Sequence, residues 1–246
     1  MNVFVIPAFN EELNVPRLLD DLEARPELWT GGHVILVDDG STDETVAAAS
    51  AHQGELPLMV VPQIRNQGPG RAFDRGFRLA LELCGQDDLV VTMESDTTSD
   101  LDALTAMLGA ARDGADVVLA SLKDGARLVN VARHRRALSH AASFVVRRGV
   151  GLDATTVSSF FRVYRAQILR DAYERFGADF IREPGFACKA EILVKLDGLG
   201  AEIAEVPVSV DWSSRLGESK LKLMPTMRGY ARLMAREAAA RARATP

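Results

Sequence analysis

Short apolar runs alternate along the chain with longer segments in which apolar residues recur every three or four positions. The apolar runs predict buried strands over residues 2–6, 34–37, 58–62, 89–93 and 116–120. The periodic segments predict helices over residues 10–25, 42–51, 70–83 and 101–114. Strands that alternate with helices are typical of right-handed crossovers in a mostly parallel sheet. We therefore expect an α/β fold with helices flanking a central sheet.

Acidic clusters follow two of these predicted strands. Asp38 and Asp39 come after the second strand, and Glu94-Ser95-Asp96 comes after the fourth. Ligands of open α/β sheets bind outside the carboxyl ends of the strands, where a carboxylate can accept a hydrogen bond from a ribose or a base. On an extended segment Glu94 and Asp96 point to the same side, where carboxylate oxygens can hold Mg²⁺ or Mn²⁺. The clusters predict a bound nucleotide, contacted by Asp39, beside a divalent metal.

Each cluster also has a purely structural interpretation. Asp39 can be an ordinary turn aspartate, and Asp96 or Ser99 can cap the helix that follows. Ser41 or Thr42 can likewise cap the helix predicted over 42–51. A second carboxylate beside the first, however, has no evident role in the fold, which favours a binding function for this pair.

The two loops beside these clusters contain residues typical of helix starts. Asn10 can cap the first helix, with Glu11 and Glu12 in its first turn. The glycine-punctuated segment 66–72 leads into another helix, whose backbone N–H groups can face a phosphate. It lacks both the G-x-G-x-x-G spacing and the Lys-Ser/Thr ending of the known nucleotide loops, so the segment is weak evidence taken alone.

Composition narrows the class of protein. A chain of 246 residues with 47% hydrophobic content and a net charge of −5 predicts one globular domain and argues against nucleic-acid binding. Cys84 and Cys188 lack metal-ligand spacing, so we expect buried free thiols in a reducing compartment. The sequence offers neither a leader pattern nor an apolar run long enough for a membrane span. We expect a cytoplasmic protein, with contact at the inner membrane surface left open.

The motifs taken in order resemble glycosyltransferase family 2 of the Rossmann-like GT-A fold, most closely its dolichyl-phosphate or polyprenyl-phosphate mannosyltransferase branch. The matching segments are Val5-Ile6-Pro7-Ala8-Phe9-Asn10-Glu11-Glu12, Val37-Asp38-Asp39-Gly40-Ser41-Thr42-Asp43, Asn66-Gln67-Gly68-Pro69-Gly70, Glu94-Ser95-Asp96, Phe161-Arg162-Val163-Tyr164-Arg165, Glu205-Val206-Pro207-Val208 and Arg215-Leu216-Gly217-Glu218-Ser219-Lys220. The joint order is far more specific than any single segment, and it covers most of the chain.

The resemblance implies a donor site for a GDP- or UDP-sugar. The residues it assigns to donor binding are Pro7, Phe9, Glu11, Asp39 and Ser95. Glu94 and Asp96 would be the metal ligands, with Asp96 also counted as catalytic. Glu94 stands where the family usually has Asp, and Thr98 where the branch often has an amide side chain. Both departures weaken the match to the family's metal site.

The late segments are assigned to the leaving group and the acceptor. Arg215 and Lys220 match a mobile basic segment that can close over the diphosphate. Arg133, Arg136 and Ser139 lie where the branch binds the acceptor's phosphate, although a solvated basic face explains them equally well. The resemblance divides the chain into a GT-A domain over 1–212, with a donor half over 1–100 and an acceptor half over 101–212. Residues 213–246 form the basic loop and an amphipathic helix.

That last helix is predicted from an apolar stripe of Leu223, Met227, Tyr230 and Met234. Arginines occupy its other faces, so the helix can lie in an anionic membrane surface or pack on its own domain.

The implied activity is an inverting transfer from a nucleotide sugar to polyprenyl phosphate. Two alternatives stay open: a soluble small-molecule acceptor, and a nucleotide-sugar-binding protein without turnover. A phosphate acceptor is already ionised at pH 7, whereas a hydroxyl acceptor needs a general base, for which Glu183 and Glu191 are the first candidates. A sugar-1-phosphate nucleotidyltransferase is disfavoured because its glycine-rich N-terminal loop is missing.

Overall fold

The computed structural model describes residues 1–121, 128–129, 156–157, 159–211, 215–217 and 223–244. Its strands are β1 (Asn2–Ala8), β2 (His33–Asp38), β3 (Leu58–Pro62), β4 (Leu89–Thr92), β5 (Val117–Ser121), β6 (Leu128–Val129), β7 (Arg162–Arg165), β8 (Ile203–Pro207) and β9 (Val210–Asp211). Its helices are α1 (Val15–Glu23), α2 (Pro26–Trp29), α3 (Thr45–Ser50), α4 (Pro69–Leu83), α5 (Leu101–Arg112), α6 (Ala166–Phe176), α7 (Cys188–Asp197) and α8 (Leu223–Ala244).

Seven strands form one central sheet in the order β3-β2-β1-β4-β7-β5-β8. The pairs β2–β3, β1–β2, β1–β4 and β5–β8 are parallel. Strand β7 lies antiparallel between β4 and β5. The prediction of a mostly parallel α/β sheet in a single domain is confirmed, and β7 and β8 are the strands of this sheet that the apolar pattern did not identify.

The sheet is covered on both faces, as near-continuous apolar strands require. Alternate residues of β1 enter opposite cores: Val3 and Val5 face the core built with α4, α6 and α7, whereas Phe4 and Ile6 face the core built with α1 and α5. All four of these side chains are fully buried. This two-sided burial fixes the register of β1, and it holds the carboxyl end of the strand rigidly at the edge where the acidic residues lie.

Helix α4 approaches β1 so closely that only glycine fits at position 76. A Cβ added to Gly76 would lie 2.3 Å from Cγ1 of Val5. We expect Gly76→Ala to lower the free energy of unfolding by about 1–3 kcal/mol through overpacking. Gly109 on α5 has open space around its Cα, so Gly109→Ala should instead stabilise the protein by up to about 1 kcal/mol through helix propensity. Urea unfolding measures the change in the free energy of unfolding for both variants. Changes of the same sign would contradict this prediction.

Two helices begin later than predicted. Helix α1 starts at Val15, because Asn10 has a φ of +53° that no helix accepts, and Asn10 is therefore not the predicted cap. Helix α3 starts at Thr45, so neither Ser41 nor Thr42 caps it. Asn10, Ser41 and Thr42 form hydrogen bonds between the two loops instead of capping their own helices.

The two cysteines are buried free thiols, as predicted. Burial raises the pKa of Cys84 to about 11 and that of Cys188 to about 12, so both stay protonated at neutral pH. Among the described helices, none combines the length and apolar character that a bilayer crossing needs.

Helix α8 packs on the domain through a different stripe from the one predicted. Among its described residues, the buried positions are Thr226, Gly229, Tyr230 and Leu233, whereas Met227 is 41% exposed. The predicted stripe is therefore wrong at Met227, whereas Tyr230 is buried and Met234 is partly exposed.

Candidate active site at the carboxyl edge of the sheet

The acidic residues meet at one edge of the sheet. Strands β2, β1 and β4 are adjacent and parallel, so the loops that follow them leave from the same side. These loops carry Asp39, Glu11 and Asp96 respectively. The predicted crevice with both acidic clusters is thus consistent with the topology.

Reciprocal hydrogen bonds join the loops after β1 and β2. The Asn10 backbone N–H donates to Ser41 Oγ at 2.9 Å, and the Thr42 backbone N–H donates to Asn10 Oδ1 at 2.8 Å. The Glu11 N–H donates to Thr45 Oγ1 at 2.8 Å. The first two contacts use the side chains of Ser41 and Asn10, which the sequence assigned to helix caps. The third, to Thr45, fixes the backbone of Glu11.

Asp38 and Asp39 both have roles in the fold, contrary to the expectation that a second carboxylate had none. Asp38 accepts from the N–H groups of Gly40 and Ser41, which closes its turn. The two oxygens of Asp39 accept from the N–H groups of Gln67 and Gly68, each at 2.8 Å. Burial raises the pKa of Asp39 above its ordinary value, although the two backbone hydrogen bonds partly offset this effect.

The glycine-punctuated loop is therefore occupied by protein groups. Helix α4 begins at Pro69, and the Gly70 N–H donates to Pro184 O at 2.8 Å. Gly68 adopts a φ of +91°, and a Cβ there would lie 2.4 Å from Pro184 O. The expectation that these N–H groups face a phosphate is wrong for residues 67, 68 and 70, since carboxylate and carbonyl oxygens of the protein already accept from them.

Two hydrogen bonds hold the carboxylate of Glu94, which lies just after β4. Its Oε1 accepts from the Phe160 N–H at 2.8 Å, and its Oε2 accepts from Ser99 Oγ at 3.3 Å. Burial raises the pKa of Glu94, and the charge of Asp96 raises it further. Neither Asp96 nor Ser99 caps α5, because Asp100 fills that role by accepting from the Ala103 N–H at 3.2 Å.

Asp96 lies in a turn and not on an extended segment, since Thr97 next to it has a φ of +60°. Its Oδ1 accepts from Thr98 Oγ1 at 2.6 Å, so Thr98 orients the carboxylate. Its Oδ2 pairs with Arg215 at 2.5 Å, and the same guanidinium lies 3.5 Å from Glu11 Oε1. The side chains of all three charged residues are about one-tenth exposed or less. Arg215 thus bridges the carboxylates that follow β1 and β4.

A second buried cation faces this site. Lys189 on α7 is 6% exposed, and its Nζ lies 4.4 Å from the ring centroid of Phe160. Burial lowers the pKa of Lys189, while the charge of Glu94 acts against that shift. Sequence reasoning missed Lys189, because the residue lies far from Glu94 in the chain and the fold alone brings the two charges near each other.

Glu94 and Asp96 match the donor chemistry of a Mg²⁺ or Mn²⁺ site in part. Among the described residues, no cluster of three or more His, Cys, Asp or Glu side chains is arranged to hold a metal ion. Mg²⁺ commonly binds through one or two carboxylates together with substrate phosphates and water. Two carboxylates beside a diphosphate-sized ligand fit that mode, so the protein would supply only part of the coordination.

The remaining predicted donor residues lie around the same edge. Pro7 is in β1 opposite Val37, and Phe9 follows the strand, with both side chains partly exposed. Ser95 is buried between the two acidic residues. Lys220, Arg133, Arg136 and Ser139 lie outside the described residues, so their predicted roles stay predictions.

Glu183 and Glu191 are engaged in structural contacts, which argues against either as a general base. Glu183 pairs with Arg232 at 2.6 Å and with Arg236 at 2.5 Å, both from α8. Glu191 accepts from the N–H groups of residues 182 and 183 and pairs with Lys195 at 2.8 Å. Both carboxylates are fully buried.

Comparison with known proteins agrees with this geometry. Residues 3–172 match the family model "Glycosyl transferase family 2". The undecaprenyl-phosphate mannosyltransferase of Micrococcus luteus is 33% identical over 220 residues, which are 88% of this chain and 86% of that protein. The polyprenol monophosphomannose synthase of Mycolicibacterium smegmatis is 27% identical over 88% of this chain and 79% of its own length. The dolichol-phosphate mannosyltransferase of Pyrococcus furiosus is 26% identical over 89% of this chain but only 58% of its own length.

Solved structures show the same fold. The glucosyl-3-phosphoglycerate synthase of Mycobacterium tuberculosis, solved with Mn²⁺, UDP and phosphoglyceric acid, superposes with a TM-score of 0.65 at 19% identity. The match covers 96% of this chain and 78% of that one. The sheet and its acidic edge thus define an α/β glycosyltransferase of the GT-A type. The chain belongs to glycosyl transferase family 2.

Proposed function

We propose that this glycosyltransferase moves a sugar from a nucleoside diphosphate sugar to polyprenyl phosphate, with inversion at the anomeric carbon. The observation that carries the proposal is the Arg215 guanidinium between Glu11 and Asp96, at the carboxyl ends of β1 and β4. An arginine held there is suited to the oxygens of a diphosphate. The names of the relatives from M. luteus, M. smegmatis and P. furiosus support a polyprenyl-type phosphate as the acceptor.

The proposed chemistry is a single displacement. A phosphate oxygen of the acceptor attacks the anomeric carbon from the face opposite the diphosphate. As the new C–O bond forms, the bond to the diphosphate oxygen breaks and its electron pair leaves with the nucleoside diphosphate. Arg215 stabilises the negative charge that grows on this leaving group. Bound at Glu94 and Asp96, Mg²⁺ or Mn²⁺ would supply further neutralisation of that charge.

An ionised phosphate acceptor needs no general base. A reaction without a general base agrees with the structural roles of Glu183 and Glu191, whose carboxylates are already paired with cations. It supports a phosphate nucleophile over a hydroxyl.

Helix α8 offers a surface suited to the lipid part of such an acceptor. Met224 is 62% exposed and Met227 is 41% exposed, and the neighbouring Arg228 is exposed as well. A helix face with apolar side chains beside arginines can lie at an anionic membrane surface. We propose peripheral membrane contact through this face.

The acceptor is tested by direct transfer assays. The purified protein is incubated with GDP-mannose or UDP-glucose, with Mn²⁺ or with EDTA, and with either undecaprenyl phosphate in detergent or 3-phosphoglycerate. Glycosylated undecaprenyl phosphate supports the proposal. Transfer to the soluble acceptor alone would replace the lipid with a small-molecule phosphate, and donor binding without any transfer would overturn the proposed activity.

Asp39 is predicted to contact the donor nucleotide as well as to hold the loop at residues 67–68. We expect Asp39→Asn to weaken binding of the preferred nucleoside diphosphate about 10- to 100-fold, the range for loss of a hydrogen bond to a charged group. Asp38→Asn is the matched control, because Asp38 is equally buried and also accepts from backbone N–H groups. Isothermal titration with GDP and UDP measures both variants. Equal losses in the two would mean that Asp39 acts only through the fold.

A further inference from the structure

Asn14 makes a contact that its position in the helix does not explain. It occupies the N-cap of α1, yet its side chain caps no N–H group of that helix. The residue is 1% exposed. Its amide Nδ2 donates to Glu11 Oε2 at 2.6 Å, and its other contacts reach a segment that lies 202 positions later in the chain.

That distant partner is the backbone of Leu216. Asn14 Nδ2 donates to Leu216 O at 2.9 Å, and Asn14 Oδ1 accepts from the Leu216 N–H at 3.0 Å. The amide side chain thus satisfies both backbone groups of one residue, as a neighbouring strand would. A carboxylate cannot donate in this way, and an aliphatic side chain can do neither.

The contact determines where Arg215 lies. Arg215 is bonded to Leu216 directly in the chain, so fixing both backbone groups of Leu216 fixes the start of the Arg215 side chain. The Leu216 side chain stays 42% exposed, so burial of that side chain contributes little to holding the segment. Asn14 and Arg215 also share Glu11: the amide contacts Oε2, and the guanidinium lies 3.5 Å from Oε1.

We propose that Asn14 is a positioning residue, which docks the segment 215–217 and thereby aligns Arg215 with the diphosphate of the donor. The proposal rests on the proposed function, because it takes the donor diphosphate as the target of Arg215. In this proposal Asn14 acts through Arg215 and makes no contact with the anomeric carbon or with the acceptor oxygen. A misplacement of about 1 Å at a positioned group can cost on the order of 100-fold in rate, so an anchor of this kind affects catalysis strongly.

Hydrogen exchange of the ligand-free protein tests the docking. In Asn14→Ala the Leu216 amide should exchange at least about tenfold faster than in the wild type, because its acceptor is gone. The control is Asn2→Ala, which removes another buried amide, bonded to Leu28 O at 2.7 Å, from the opposite end of the sheet. It should leave Leu216 unchanged. Should Asn14→Ala fail to fold, Asn14→Leu keeps a side chain of similar size and loses both the donor and the acceptor. Unchanged exchange in a folded Asn14 variant would overturn the proposal.

A double-mutant cycle with Arg215→Gln tests the positioning role. We expect Asn14→Ala to lower kcat/KM about 10- to 100-fold when Arg215 is present, and less than about threefold when position 215 is Gln. A residue that acts only on stability would give additive losses, and additivity would overturn the proposal. The assay uses GDP-mannose and UDP-glucose with Mn²⁺ and undecaprenyl phosphate. If the wild type transfers from neither donor, the proposed function fails, while the exchange experiment still decides whether Asn14 docks the segment.

Discussion

Asp96→Asn should abolish metal-enhanced binding of the donor and lower kcat/KM on the order of 10²- to 10³-fold or more, as removal of a group that stabilises the leaving-group charge does. Asp96 is the point where several contacts meet: Thr98 orients one oxygen, and Arg215 pairs with the other. An asparagine at this position has almost the same shape but no charge. An amide has only one acceptor oxygen, so either Arg215 or Thr98 would lose its acceptor.

A control variant distinguishes loss of the site's chemistry from a general effect of an aspartate-to-asparagine change on the fold. Asp102→Asn changes an aspartate on α5 whose side chain is 84% exposed and pairs with Arg25. It should leave donor binding and turnover unchanged. Titration of GDP and UDP with and without Mn²⁺ gives the dissociation constants, and steady-state kinetics give kcat/KM. Full donor affinity and normal Mn²⁺ enhancement in Asp96→Asn would rule out Asp96 as a metal ligand.

Removing Arg232 and Arg236 together should destabilise the protein by about 3–5 kcal/mol, the cost of leaving a buried charge without its partner. Both arginines pair with Glu183, whose side chain is 2% exposed. The double variant Arg232→Met, Arg236→Met keeps the apolar stems and deletes only the charges. Glu183→Gln should cost much less, because Arg232 and Arg236 are 56% and 31% exposed and can return to water.

Urea unfolding measures this asymmetry. Arg228→Met is the matched control, since Arg228 is an exposed arginine on the same helix. It should change the free energy of unfolding by less than about 0.5 kcal/mol. If Glu183→Gln proved as destabilising as the double arginine variant, the network would stabilise the protein through the carboxylate's hydrogen bonds and not through compensation of its charge.

The sequence pattern predicted five of the seven strands of the sheet because each of those five contains an uninterrupted apolar run. Val34–Val37 and Val117–Ala120 are buried on both faces, and short runs rich in β-branched residues are typical of such strands. Strand β7 did not meet this criterion because it begins at Arg162 and ends at Arg165, so its apolar run is only Val163 and Tyr164. Arg162 is 1% exposed, and its guanidinium donates to the carbonyl oxygens of Lys189 and Val157. Because the carbonyl groups that stabilise this buried charge lie elsewhere in the chain, the sequence around Arg162 does not show that the residue is buried in a strand.

Helix starts were harder to predict for a related physical reason. The polar residues near Asn10 and Ser41 have the composition of caps, but their partners lie in the opposite loop. A capping side chain and a side chain that joins two loops have the same hydrogen-bonding groups, so residue type does not distinguish them.

The position of the site was predictable, because parallel strands end on the same side of a sheet. Asp39, Glu94 and Asp96 all lie at the expected edge. What the sequence could not provide are contacts made across long separations. Asn14 bonds to Leu216, and Lys189 lies against Phe160. Both depend on how loops and helices pack after the sheet has formed.

The location of β7 also has a consequence for biosynthesis. Because β7 separates β4 from β5, a nascent chain that ends before residue 162 has no partner for the inner edges of either strand. Those edges expose unpaired N–H and C=O groups until the ribosome has released the later segment. We therefore expect C-terminally shortened forms that stop before β7 to aggregate or to require chaperones, and full-length protein to gain protease resistance only after synthesis has passed this strand.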